Sequence, residues 1–365
     1  MRDTWGFDGY ITSDTGAIED IYQGHNYVKT SGEAACAALR GSTDICSGAP
    51  FIDSLLAAVA AGTCSMADVT RALTRTLTAQ FRLGLFDPIA DQPYWHVPID
   101  AVGTAASRNS SARAAAESMV LLKHDGAALP LAPGIRLAVI GPHALATDAL
   151  VGNCEQAGGR ARGRACERRP GNLTQQIDRS FARASTTPLP LPLRADLGQL
   201  CADDTSSCVQ TPTAALTAAN AGGSTKSVPG CAVNSSDESG FAAAVALAGA
   251  SDAVVLMLGI DDSIESESHD RVSIDLPLTQ HRLVAAVAAV GKPVVVVLLS
   301  GSSLDVTAEM ATPGVGAIVA AGYPGIFGAS AIAATLFGSN DRCCGKLAMT
   351  WYPSIYTEQI EMSRG

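Results

Sequence analysis

Apolar positions along this chain gather into short runs separated by amphipathic stretches. The segments Leu137–Ile140, Ala253–Gly259, Pro293–Leu299, Gly316–Ala320 and Leu347–Trp351 read as strands. Most of these lack the polar alternation of a half-exposed strand and so suit a sheet buried on both faces. Between them, Phe241–Ala250, Thr279–Val290 and Gly328–Phe337 read as helices. Such alternation predicts a mainly parallel sheet with helices on both faces.

The first part of the chain follows a similar grammar. Residues 9–14 read as a short strand, Ala17–Tyr22 as the opening of a helix and Gly41–Gly48 as a second strand. Phe51–Ala61 and Met66–Leu83 read as helices, the latter with an apolar stripe of Val69, Leu73, Leu77 and Phe81 and a stop at Gly84. Residues 1–84 thus form two strand-helix units in series, as in parallel α/β structures. Phe86–Thr104 is rich in Pro, Asp and polar residues and reads as a linker, before an Ala-rich helix from Ala105 leads into Met119–Lys123. The expected organisation is a first domain at 1–85, a linker at 86–112, an α/β sandwich domain at 113–353 and a tail at 354–365. An irregular insertion at about 155–209 breaks the rhythm, with Arg160, Arg162, Arg164, Arg168 and Arg169 and a Pro-Leu run. It reads as a poorly packed surface insertion, or else as a basic patch for an acidic partner.

Composition narrows the function classes. The 365 residues are 47% hydrophobic, ample for sizeable cores, and the apolar runs are far below the roughly 18 to 20 residues that span a bilayer. A formal net charge of -10 argues against general nucleic-acid binding and favours a neutral or small polar ligand. Ten cysteines without a CxxC pair or zinc-site spacing point to disulfides. The sequons at Asn109, Asn172 and Asn234 agree with a secretory route, although residues 1–13 hold no signal-peptide pattern.

Two stretches can carry chemistry. Asp14 follows the first strand and precedes Thr15-Gly16 and a helix, the place where parallel α/β enzymes put catalytic groups. The same position suits a helix N-cap, and the two readings weigh equally. The second stretch, Glu265-Ser266-Glu267-Ser268-His269-Asp270-Arg271, leaves the strand Ala253–Gly259 through a polar loop. By itself it reads as a solvated acidic loop in which Arg271 pairs with Asp270, but Ile274-Asp275-Leu276-Pro277 supplies an apolar anchor able to hold it. Other candidates are weaker. The run Ile140-Gly141-Pro142-His143 lacks GxGxxG and Walker patterns, Gly301-Ser302-Ser303 lacks the GxSxG elbow, and His25, His96, His124, His143 and His281 have no ligand spacing.

In combination these residues resemble glycoside hydrolase family 3, especially its β-xylosidase branch. WGFDGYITSD is similar to that family's nucleophile strand and GIDDSIESESHDRVSIDLP to its acid/base loop. ESMVLLKHDGAALPL, LAVIGP, PVVVVLLSG, AGYPG and KLAMTWYP follow in the family's order. The resemblance implies a (β/α)8 barrel joined to an α/β sandwich, with Asp14 as nucleophile and Glu267 as acid/base. Glu265 is the runner-up for the acid, and Asp270 and Arg271 shape the loop or touch sugar hydroxyls. The chemistry is that of a retaining glycosidase, whose carboxyl groups lie about 5 to 5.5 Å apart. The expected substrate is a terminal β-xyloside in an oligosaccharide or glycoside, with β-glucosides next. No metal or organic cofactor is implied, and the implied location is extracellular.

Departures from the family pattern are Thr15 beside the nucleophile, Cys154 in place of an aromatic residue, and Cys343-Cys344 in a loop usually rich in Pro and Gly. A complete barrel takes about 250 residues. Residues 1–85 therefore read as its last two strand-helix units, exposing strand edges and apolar helix faces. This leaves the alternative of an inactive remnant that folds or binds carbohydrate without turnover.

Overall fold

The computed structural model describes residues 1–152, 208–266 and 269–360, and the chain divides into two compact units, Met1–Ala101 and Val102–Gly365. Nearly all of the insertion, with its arginines, Cys154 and Asn172, lies outside the described residues, as do Glu267 and residues 361–365 of the tail.

In the first unit, the segments expected as strands meet in one parallel bridge, Thr12 to Ile45. Side chains end the ladder by taking the backbone's partners. The Ile11 amide donates to the Asp44 carboxylate at 2.9 Å, and the Ser47 amide donates to the Ser13 hydroxyl at 2.9 Å. Asp44 is buried and also pairs with Arg2 and with Arg75, the latter at 3.1 Å. A buried carboxylate held by two guanidiniums and an amide fixes residue 11 against residue 44, and so fixes the start of the segment that carries Asp14.

The helices of this unit include α1 (Ala17–Asp20), α2 (Ser31–Arg40), α3 (Leu55–Ala60) and α4 (Met66–Arg82). Reciprocal capping boxes, Thr30 with Glu33 and Ser65 with Asp68, satisfy the first amides of α2 and α4. A Cys36–Cys64 disulfide links α2 to the residue preceding the α4 cap, over a core that includes Ala35, Leu39, Leu55, Ala58 and Ala72. The apolar stripe expected on α4 is largely outward: Leu73, Leu77 and Phe81 are 53%, 42% and 66% exposed. The packed side instead carries Val69, Ala72 and Arg75, because the small core and Asp44 lie there.

The second unit holds a six-stranded sheet of β1 (Val120–His124), β2 (Arg136–Ile140), β3 (Ser224–Val228), β4 (Ala253–Gly259), β5 (Val294–Leu299) and β6 (Val315–Ala320). The order is β1-β6-β5-β4-β2-β3, with β1 antiparallel to β6 and all other pairs parallel. Every residue of β4, β5 and β6 is buried, since alternate side chains enter two separate cores. Val255, Met257, Val295 and Val297 pack toward α5 (Ala105–Ser118), α6 (Pro212–Ala219) and α9 (Gly328–Leu336). Val254, Leu256, Leu258, Val296 and Leu298 pack toward α7 (Phe241–Gly249) and α8 (Leu278–Ala288). Each such aliphatic side chain contributes about 1.5 to 3 kcal/mol on burial.

Two sequence expectations change. Leu347–Trp351 is not a strand: Leu347 and Met349 are exposed and make no ladder. β3 was hidden because Ser224-Thr225-Lys226-Ser227-Val228 is polar, as befits an edge strand with half-exposed positions. No helix among the described residues is long and apolar enough to cross a membrane.

Where β4 ends, Gly259 has φ +133°, and a Cβ there would lie 1.9 Å from the Leu299 carbonyl oxygen. Gly259→Ala is expected to destabilise the second unit by at least about 2 kcal/mol. Urea denaturation followed by tryptophan and circular-dichroism signals checks this.

Candidate active site

Asp14 is exposed, and its Oδ1 accepts the Thr15 amide at 2.8 Å. It does not cap α1, whose N-cap is Gly16 in a left-handed conformation without a side-chain bond. Around it the chain is tightly fixed: the Ser13 amide donates to the Ile45 carbonyl, and the Gly16 amide donates to the Ser47 carbonyl, both at 2.9 Å. The Thr15 and Ser47 hydroxyls are 2.7 Å apart. Asp14 lines a cleft of about 570 Å³ whose apolar wall includes Ile18, Ile21 and Ala38, with Ser13, His25, Tyr27 and Thr43 contributing polar or aromatic groups. A carboxylate with one local hydrogen bond among the described residues, open to a cleft with an apolar wall, has lone pairs to offer a ligand or an electrophilic carbon.

The acidic loop departs from the carboxyl end of β4 in the second unit. Gln280, fully buried on α8, accepts the Gly259 amide at 2.9 Å and donates to the Gly259 carbonyl at 2.7 Å, while its NH₂ group also reaches the Val233 carbonyl at 3.2 Å. Next, Asp261 accepts the Ser263 amide and hydroxyl, and the Asp261 carbonyl accepts the Glu265 amide. Glu265 is held on every side. Its Oε1 accepts the Gly301 amide at 2.8 Å and the Tyr323 hydroxyl at 3.2 Å; its Oε2 accepts the Ser302 hydroxyl at 2.9 Å and faces Arg271 Nε at 3.6 Å. Burial and then the charge of Glu265 push the Tyr323 phenol far above its ordinary range, so it stays a neutral donor.

Arg271 pairs with Glu265 and not with its neighbour Asp270, contrary to the sequence expectation; its Nη2 donates to the Ser303 carbonyl at 2.5 Å. The reason is that Asp270 is exposed, whereas Arg271 turns inward to a carboxylate already anchored on the sheet. Ser266 and His269 exchange both backbone hydrogen bonds, at 3.0 and 2.9 Å, flanking Glu267 and Ser268 in sequence. The expected anchor is present: Ile274 and Leu276 are buried, and the Asp305 amide donates to the Ile274 carbonyl at 2.7 Å.

Of the residues singled out in the sequence, the structure therefore brings Glu265 and Arg271 together and leaves Asp270 outward. Sequence reasoning gave no role to Gln280 or Tyr323 and weighed Ser302 only as a nucleophile. A positional signal existed, since Ser302 and Tyr323 follow the carboxyl ends of β5 and β6. His143, after β2, is likewise buried; its ring lies by the Gly259 and Ile260 carbonyls, and its Nε2 has no partner among the described residues.

A doubly covered, mainly parallel sheet with ionisable loops at its strand ends places the second unit in the α/β class whose sites form at that edge. The chain belongs to glycosyl hydrolase family 3: the profile of that family's C-terminal domain matches residues 119–363. A probable exo-1,4-beta-xylosidase of Aspergillus fumigatus is 34% identical over 366 residues, which cover all of this chain and 41% of that protein. Beta-D-xylosidase 1 of Arabidopsis thaliana is 34% identical over 368 residues, again covering 100% of this chain and 41% of the relative. Among solved structures, an exo-beta-xylosidase of the same family in complex with a xylobiose aziridine activity-based probe superposes with TM-score 0.77 at 28% identity, over 98% of this chain and 40% of that one. A Listeria innocua beta-glucosidase in complex with isofagomine, at 22% identity, TM-score 0.68 and covering 93% of this chain and 40% of that one, shares the fold. The chain thus spans about two fifths of the length of these relatives.

Burial lowers the His143 pKa to about 4. Between the ordinary value of 6.5 and that value, the unfolded chain binds a proton that the folded chain refuses, so stability falls as pH drops through this window. The effect is expected to approach roughly 3 kcal/mol. His281 runs oppositely: its hydrogen bond to Glu309 raises its pKa, so its contribution is full at low pH and is lost as pH rises through the folded value. Urea midpoints at pH 7, 5.5 and 4.5 should therefore fall less steeply in His143→Gln and more steeply in His281→Gln than in the unaltered chain.

Proposed function

We propose that this chain carries the nucleophile and the acid/base of a retaining exo-glycosidase for terminal β-linked sugars, β-D-xylosides above β-D-glucosides. The observation that carries the reading is Asp14: its carboxylate is spared from capping α1 and opens into a cleft. Supporting it are relatives named as xylosidases at 34% identity, against beta-glucosidases whose likeness is chiefly of fold. In this chemistry Asp14 attacks the anomeric carbon while Glu267 gives its proton to the departing oxygen, leaving a covalent glycosyl ester. Glu267 then takes a proton from water, which displaces Asp14 and frees the sugar. Two carboxyl groups suffice for both steps, with no metal or organic cofactor in the scheme. The Cys36–Cys64 disulfide fits an oxidising compartment, and an extracellular location belongs to the same reading.

A second reading is a carbohydrate-binding chain without turnover. The xylosidase names belong to proteins of which this chain spans 41%. Purified chain assayed with aryl β-xyloside and aryl β-glucoside separates the two. Faster xyloside turnover, reduced at least about 10³-fold in Asp14→Asn, is the expected result. A folded sample that binds xylo-oligosaccharide yet turns over neither substrate selects the second reading.

A further inference from the structure

The sequence offers two glutamates two residues apart, and either spacing can serve a proton transfer. The geometry around Glu265 separates their roles. We propose that Glu265 is a positioning residue that sockets the acidic loop onto the ends of β5 and β6, and that it is not the proton donor. This assignment rests on the reading of Glu267 as acid/base.

The argument begins with lone pairs. A carboxylate has about four acceptor sites. At Glu265 three of them are met by the Gly301 amide, the Tyr323 hydroxyl and the Ser302 hydroxyl, and the remaining side faces the Arg271 guanidinium. An amide N–H and a guanidinium can only donate, so the group is arranged as an acceptor, whereas a general acid must present its own proton to a leaving oxygen. The partners also come from separate places in the chain: Gly301 and Ser302 follow β5, Tyr323 follows β6, and Arg271 lies farther along the loop itself. Arg271 extends the socket, since its second nitrogen reaches the Ser303 carbonyl. The backbone exchange between Ser266 and His269 begins at the very next residue, so the loop rises from a point pinned to two strand ends.

Gly301 adds an independent measure of closeness. A Cβ there would stand 2.7 Å from Glu265 Oε1 and 3.0 Å from the Tyr323 ring. Its backbone is not in the left-handed region, so Gly301→Ala should be tolerated by the chain and felt by the carboxylate. Ser302→Ala removes one hydroxyl donor and leaves the charge.

The test uses the full chain and two readouts. In hydrogen exchange followed by mass spectrometry, Glu265→Ala and Gly301→Ala should speed exchange at residues 260–266 and 301–303 by roughly tenfold or more, with β4 and β5 amides unchanged. Unchanged exchange in the loop of both variants overturns the socket. Should Glu265→Ala fail to fold, Gly301→Ala and Ser302→Ala decide the point. In turnover of aryl xylosides, Glu267→Ala should lose rate mainly on poor leaving groups and regain it with azide, because acid assistance matters least when the leaving group is good. Glu265→Ala should instead lose rate equally on good and poor leaving groups, gain nothing from azide and keep the alkaline limb of the pH profile. Leaving-group dependence with azide rescue at Glu265→Ala overturns the assignment. Absence of both signatures at Glu267→Ala sinks the acid/base reading, while the exchange data still judge the socket.

Discussion

A strand buried on both faces must leave the sheet without stranding a polar backbone group, and the end of β4 shows how this chain meets that constraint. Along β4 the amides and carbonyls are taken by β2 and β5. At Gly259 the buried Gln280 side chain accepts the N–H and donates to the C=O, as another backbone would. A carboxamide is suited to this because it holds donor and acceptor in one plane. The bulk of any side chain at 259 is excluded by the Leu299 carbonyl. The acidic loop therefore departs at a fixed height and direction, and the reach of Glu265 to the ends of β5 and β6 depends on that departure.

The sheet was legible because its information is one-dimensional. Runs such as Val294-Val295-Val296-Val297-Leu298-Leu299 have no polar face to show, and only a strand covered on both sides suits them. What stayed hidden had its cause elsewhere in the chain. β3 is polar because its position at an edge leaves it half-exposed. The first-unit strands shrink to a bridge because Asp44 and Ser13 side chains capture amides that a ladder would use. Periodicity made the α4 stripe legible as apolar, but it tells which residues share a face and not whether anything covers it; the exposure of Leu73, Leu77 and Phe81 follows from how little chain packs on that side.

The candidate residues were legible in type and less so in their surroundings. Position placed Asp14 equally as cap and as reactant, and the Gly16 N-cap removes the first of these readings. The pairing of Arg271 with its neighbour Asp270 was the economical guess along the chain. In three dimensions it loses to Glu265, because a carboxylate already held by three donors offers a guanidinium a fixed partner, whereas an exposed one requires ordering a solvated side chain. Glu265 and Asp14 thus occupy opposite settings: among the described residues one meets three donors and a guanidinium, the other a single local bond.

The dispersed origin of the partners of Glu265 bears on how sequences of this kind can diverge or be recombined. Residues 265, 271, 301–303 and 323 form one unit in space although they are scattered over nearly sixty positions, as the separation of 58 between Glu265 and Tyr323 records. Transplanting the loop alone into a related sheet would deliver a plug without its receptacle. A chimera cut between Glu265 and Tyr323 divides that unit between parents, so viable crossovers should fall before Glu265 or after Tyr323.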